Sequence, residues 1–311
     1  MKDKTVLITG GTGTLGTELV KRLMPACRKV IIFSRDEFKQ SEMRKEIYDE
    51  NKVLRYYIGD VRDLERLRMA FDGVDVVIHC AALKHVSTGV TDPLEVIKTN
   101  IHGAENIINA AIERGVKKVL AVSTDKAVNP INLYGGAKFC ADKLFVGANR
   151  YSKKDETMFS VIRPGNFFGS RGSVVAYFEE LKAGGAGVVP ITDIRMTRFF
   201  IIVEDAADRV IEAVDLMTGG EIFCPKMEPI GIIDLAELLY PRAKVLIIGA
   251  KKGEKIHEEL VLLSDAGSVY ETDNFYIISD KTFNDRLMPN DFEYKSGPIW
   301  GEGEWIKKFL S

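Results

Sequence analysis

The run Gly10-Gly11-Thr12-Gly13-Thr14-Leu15-Gly16 follows directly on the β-branched stretch Thr5–Thr9 and opens an amphipathic segment. No other feature limits the fold of this chain as strongly. Gly10, Gly13 and Gly16 give the spacing GxxGxxG. Missing side chains at such positions let backbone N–H groups and a helix N-terminus approach a pyrophosphate closely. A plain strand-to-helix turn would use some of the same glycines, so the placement decides. Here the run closes the first strand of the first βαβ unit. Gly10, Thr12, Gly13, Thr14, Leu15 and Gly16 are therefore candidate dinucleotide contacts.

Further apolar runs stand at Val30–Phe33, Leu54–Ile58, Val74–His79 and Val119–Ser123. Between them lie helical patterns at Leu15–Leu23, Glu37–Tyr48, Asp63–Ala70, Pro93–Arg114 and Gly136–Asn149. This alternation predicts an α/β chain with a Rossmann-type, doubly wound parallel sheet. Continuous rather than alternating apolar strands suit a sheet covered on both faces. Beyond Arg163 the rhythm changes, with glycine clusters and short strand-like pieces. We expect residues 1–163 to form the dinucleotide-binding domain, completed by returning segments, and residues 164–311 to form mainly a smaller, substrate-binding lobe.

The second strand ends at Ser34-Arg35-Asp36. A hydroxyl and a guanidinium suit a ribose 2′-phosphate, which favours NADP over NAD, although Asp36 pairing with Arg35 would weaken that reading. At the third strand end, Asp60 can accept from the adenine amino group while the Val61 N–H donates; a helix cap is the other use for an Asp there. Small Ala81 and Ala82 after the fourth strand leave room for the nicotinamide ribose, and Lys84 stands just beyond them. The fifth strand ends in Ser123-Thr124-Asp125-Lys126, and Tyr134 and Lys138 follow with YxxxK spacing, on one face of a helix. A cation beside a phenol lowers its pKa and makes it a usable base or acid.

Charge and composition close off other classes. Forty-three basic against 45 acidic side chains give a formal charge of -2, so no broad phosphate-backbone surface for nucleic acid is expected. No apolar run reaches the roughly 20 residues of a membrane span, and the opening MKDKTVLITG lacks a signal-peptide core. The four cysteines form no CxxC pair, so neither a metal site nor a disulfide framework is expected, and a cytoplasmic setting fits.

With TGGTGTLG, SRDEFKQSEM, GDVRDLERL, AALKHV, STDKAVNP, NPINLYGGAK, RPGNFFGSRGSV, ITDIRMTRFF and GEKIHEEL, the chain from residue 5 to about 260 resembles the extended short-chain dehydrogenases/reductases. It is most similar to their inverting UDP-N-acetylglucosamine 4,6-dehydratases (5-epimerising) of pseudaminic acid and capsule biosynthesis. The resemblance implies bound NADP, a UDP-sugar substrate and a homo-oligomer, dimer or hexamer. It assigns the C4 hydroxyl proton to Tyr134, the tuning of Tyr134 and the nicotinamide ribose to Lys138, and the C4 oxygen to Thr124. Lys126 would remove the C5 proton and Asp125 would protonate the departing 6-hydroxyl. A lysine can be that base only where burial or neighbouring cations depress its pKa. Lys84, Asn166, Ser173, Val174, Arg198, Lys251 and Glu254 are the implied substrate contacts, with Arg198 and Lys251 neutralising UDP. The sequence departs from the family in the loop Ser87–Val90 and at Lys251, where relatives carry Arg. A UDP-sugar 4-epimerase or ketoreductase would also need Tyr134 and Lys138, but not the Asp125–Lys126 pair. A catalytically idle NADP-binding regulator would be expected to have lost Tyr134 or Lys138, and both are present.

Overall fold

A strand buried on both faces needs apolar side chains on both, and the apolar runs of the first half meet that demand. The computed structural model describes residues 1–152, 156–170, 172–250 and 252–297. Its first half runs β1 (Thr5–Thr9), α1 (Thr14–Leu23), β2 (Lys29–Ser34), α2 (Glu37–Glu46), β3 (Leu54–Ile58), α3 (Leu64–Ala70), β4 (Val76–His79), α4 (Val86–Thr91), α5 (Pro93–Ile97), α6 (Gly103–Arg114), β5 (Lys118–Val122), α7 (Leu133–Ala148) and β6 (Met158–Ile162). Then come β7 (Asn166–Phe167), α8 (Val174–Ala183), β8 (Val188–Ile191), β9 (Thr197–Ile201), α9 (Val203–Leu216), β10 (Ile222–Pro225), β11 (Pro229–Gly231) and α10 (Ile232–Leu239). The last strands are β12 (Lys244–Ile247), β13 (Glu259–Val261), β14 (Val269–Glu271), β15 (Phe275–Ile278), β16 (Arg286–Leu287) and β17 (Tyr294–Lys295).

The large sheet has the order β16-β14-β15-β10-β6-β5-β4-β1-β2-β3. From β3 to β10 every pairing is parallel; β15, β14 and β16 extend the sheet antiparallel. The chain leaves β3, passes β1 and enters β4 on its far side. That reversal opens a crevice at the carboxyl ends of β1 and β4, where doubly wound sheets bind ligands. A second apolar core, including Val175, Phe178, Phe200, Ile230 and Leu235, packs α8 and α10 against β8, β9 and β11.

Two helices differ from expectation. Pro93–Arg114 is not continuous: a π turn at Lys98–His102 separates α5 from α6. The extra residue in that turn lets Asn100 grip the chain beyond β4, its Oδ1 accepting from Leu83 N (2.9 Å) and its Nδ2 donating to Leu83 O (3.0 Å). The helix expected at Gly136 begins earlier, at Leu133, because Asn132 caps it by accepting from Gly135 N at 2.8 Å. The early start carries Tyr134 into the first turn, one helical turn before Lys138.

Candidate active site

Gly10 has φ +66°, and a Cβ there would lie 2.9 Å from Ala81 N. A Cβ on Gly16 would lie 2.5 Å from Gly10 O. The turn therefore draws β1, α1 and the end of β4 together only with glycine at both places. α2, α3, α7 and α8 begin with capping side chains, whereas α1 begins at Gly13 with none. Its first amides face a cavity of about 900 Å³. Gly10, Thr12, Gly13, Thr14, Leu15, Gly16, Ser34, Arg35, Val61, Ala81, Ala82 and Lys84 all line it.

Asp60 is not among the lining residues. Its carboxylate accepts from the Arg62 guanidinium at 2.6 and 2.9 Å and lies 3.6 Å from Arg35. Desolvation opposes the charged carboxyl, but the bonds from Arg62 prevail and hold it below the usual carboxylate range. The backbone beside it is fixed for a ligand, since Asn106 Nδ2 donates to Val61 O at 3.0 Å. Sequence reasoning passed over Lys39 and Thr99, which also line this cavity. Lys39, in the first turn of α2, adds a further cation to the wall, 3.1 Å from Asp36. Thr99, in the π turn, is buried and its Oγ1 has no hydrogen-bond partner. A glycine cradle that a Cβ would fill, open amides and an orphaned hydroxyl fit a dinucleotide.

A second cavity of about 640 Å³ shares Ala82, Lys84, His85, Val122 and Phe167 with the first. Thr124, Lys126, Tyr134 and Lys138 form part of its wall, together with Asn166, Ser173, Val174, Arg198 and Glu254. Lys126 Nζ donates to Asp125 Oδ1 (2.9 Å) and Asn166 Oδ1 (3.0 Å) and lies 3.6 Å from Glu258 Oε1. Thr124 Oγ1 donates to the same Asp125 oxygen at 2.9 Å. Asp125 lies wholly buried behind this wall, and its Oδ2 has no hydrogen-bond partner. Lys138 Nζ donates to Val122 O at 2.8 Å.

The charge environment departs from the sequence reading at two residues. Burial alone would push Lys126 down, but the Asp125 and Glu258 carboxylates outweigh it and hold the ammonium above its ordinary pKa. Lys126 is thus no depressed lysine, and it can act as a base only if its proton moves to a neighbour. Tyr134 is pushed up to about 12 by burial, and the cation that opposes this is Lys126 rather than Lys138. Burial in turn holds the Lys138 pKa down.

Arg198 lines the cavity with its guanidinium hydrogen-bonded to the main chain. Its Nη1 donates to Thr197 O (2.6 Å) and Ile256 O (3.0 Å), and its Nη2 donates to Lys255 O (2.8 Å). A guanidinium committed to three carbonyls holds the segment 255–258 in place. Ser173 caps α8, accepting from Ala176 N at 3.3 Å, which leaves the Val174 end of the helix towards the cavity. Lys251 lies outside the described residues. Lys255 and Glu258, both on the cavity wall, went unread because GEKIHEEL does not reveal which of its charges point inward.

A reversed parallel sheet, a glycine cradle at its first turn and a Tyr134–Lys138 pair facing the crevice define an extended short-chain dehydrogenase/reductase. The chain belongs to the polysaccharide biosynthesis protein family, which it matches over residues 6–280. Over 99% of its length it is 48% identical to the UDP-N-acetylglucosamine 4,6-dehydratase (inverting) of Campylobacter jejuni, covering 91% of that protein. It is 40% identical to the UDP-glucose 4-epimerase of Rickettsia akari, over 89% of this chain and 83% of that one. The X-ray structure of Pen from Bacillus thuringiensis superposes with a TM-score of 0.92 at 36% identity, over 99% of this chain and 97% of that one.

Proposed function

We propose that this chain is an inverting UDP-N-acetylglucosamine 4,6-dehydratase that holds NADP. The observation that carries the reading is the Asp125–Lys126 hydrogen bond beside Tyr134, since an epimerase or ketoreductase has no need of that pair. Likeness to the Campylobacter jejuni dehydratase supports it. Residues 1–163 with the returning strands would carry the cofactor, and the lobe from residue 164 the UDP-sugar. Four free cysteines suit a cytoplasmic setting, and no helix among the described residues is long and apolar enough to cross a membrane. Exposed Val90, Leu94, Phe139 and Leu144, on the adjoining helices α4, α5 and α7, support a homo-oligomer.

Bound in the crevice, a nicotinamide would supply a reversible hydride acceptor for C4 and donor for C6. Tyr134, as the phenolate that the Lys126 ammonium and a bound nicotinamide cation would favour, takes the 4-hydroxyl proton, and Thr124 steadies the C4 oxygen. A ketone at C4 acidifies the C5 hydrogen. Asp125 and Lys126 then act as one unit sharing a proton. A shift from Lys126 Nζ to Asp125 turns the ion pair into an amine and a carboxylic acid without changing the net charge. The amine removes the C5 proton, the acid protonates the 6-hydroxyl, and water leaves. The pair ends as ammonium and carboxylate; after hydride reaches C6 a solvent-exchanged proton adds at C5 from the opposite face, and Tyr134 releases the proton it took from the 4-hydroxyl. Lys138 orients the nicotinamide ribose; Asn166 holds Lys126.

The test is incubation with UDP-N-acetylglucosamine and mass spectrometry of the product. Loss of one water is expected; a product of unchanged mass would be a 4-epimer, the reading favoured by likeness to the Rickettsia akari enzyme. For the cofactor, Arg35→Ala should weaken NADP about tenfold to a hundredfold and leave NAD nearly unchanged. A hydrogen bond to a charged group is worth about 1.5–3 kcal/mol. Equal losses in titrations of the two cofactors would remove Arg35 from the 2′ position.

A further inference from the structure

Glu258 is a buried acid to which the steps above give no part. Its main chain is pinned, with Glu258 N donating to Ser296 Oγ and Ser296 N donating to Glu258 O, both at 2.8 Å. Its carboxylate, only 3% exposed, faces three cations. Oε1 lies 3.6 Å from Lys126 Nζ and 3.7 Å from Arg198 Nε; Oε2 lies 3.5 Å from Lys255 Nζ and accepts no hydrogen bond. Arg198 and Lys255 are themselves anchored to carbonyls, Lys255 through Val128 O. Three cations and one carboxylate thus meet at fixed positions on the wall of the substrate cavity.

The charged and titratable groups facing Lys126 are Asp125, Glu258, Arg198 and Tyr134. Once Asp125 carries the proton it is to donate, Glu258 is the remaining carboxylate among them. We propose that Glu258 is a positioning residue that keeps the shared proton on the Asp125–Lys126 pair, so that elimination always has an acid available. This rests on the dehydratase reading above. Without the Glu258 charge, Lys126 faces Arg198 with less compensation, and the pair gives its proton to solvent more readily. Coulomb interaction at this separation is strong when water is excluded, so the effect should be readable as a pH shift.

The experiment is the pH dependence of water elimination by the cofactor-loaded enzyme in wild type, Glu258→Gln and Glu258→Asp. Formation of the reduced nicotinamide, which reports C4 oxidation, is followed in parallel. Elimination should fall on the alkaline side where the pair loses its shared proton. In Glu258→Gln that limb should move down by about one pH unit or more, a tenfold loss at a fixed pH beyond it. Glu258→Asp keeps the charge but draws it back, so its limb should fall between the other two; if Glu258→Gln does not fold, this variant decides alone. The pH profile of C4 oxidation should follow the shift only weakly, through the Lys126 charge near Tyr134. An unmoved limb, or equal losses in both steps at every pH, would overturn the proposal. Failure of the underlying reading looks different: wild type would then eliminate no water at any pH.

Discussion

Lys126→Met should stop the reaction between C4 oxidation and loss of water. Methionine matches much of the lysine's length but can neither hold nor take a proton. Tyr134, Lys138 and the glycine cradle stay in place, so the 4-hydroxyl can still be oxidised, though more slowly, because the Lys126 cation no longer offsets the burial that raises the Tyr134 pKa. Reduced nicotinamide should therefore accumulate on adding UDP-N-acetylglucosamine, with no 6-deoxy product. Removal of a general base costs about 10²–10⁴ in rate, so the stalled state should be visible by stopped-flow absorbance. The variant also strands the Asn166 oxygen and leaves Asp125 Oδ1 with Thr124 as its hydrogen-bond donor. A stability loss of about 1–3 kcal/mol should accompany it in thermal melts. Product at near wild-type rate would show that another group takes the C5 proton.

Gly16→Ala should empty the cofactor site. Its methyl group would sit 2.5 Å from Gly10 O and 2.6 Å from Gly11 Cα, both backbone atoms of the cradle. Relief requires α1 to move away from β1, which costs about 1–3 kcal/mol in packing and turns the first amides of α1 off the pyrophosphate. Cofactor retention should fall on the order of a hundredfold, measured as nucleotide released on denaturing the purified protein. Gly147→Ala is the control: a Cβ there meets nothing within 4 Å, and alanine is the better helix former by about 1 kcal/mol. Equal retention in the two variants would remove the Gly16 contact from the account.

The sequence revealed those parts of the site that are set by neighbours along the chain. Gly10 to Gly16 lie in one turn, and Tyr134 and Lys138 in one helical repeat, so spacing alone placed them on a common wall. Parallel strands buried on both faces were readable for the same reason, as each is a short uninterrupted apolar run. Groups assembled across the fold were not. Glu258 reaches Lys126 from 132 positions along the chain, and the pinning of segment 255–258 by Arg198 and Ser296 holds it there. A sequence also cannot show that carbonyls already occupy the Arg198 guanidinium. The direction of the Lys126 shift was missed likewise: one carboxylate is adjacent in the chain and the second is not. Thr99 became a candidate only through the π turn, which has no marker in KTNIH.

The proposed reaction turns on a proton taken from C5 and water lost from C6. Incubation with UDP-N-acetylglucosamine in deuterated water, followed by NMR of the product, tests this most directly. A 4-keto-6-deoxy sugar with deuterium at C5 and the inverted configuration there is the expected result. Retention of the original hydrogen at C5, with the 6-hydroxyl still in place, would contradict it.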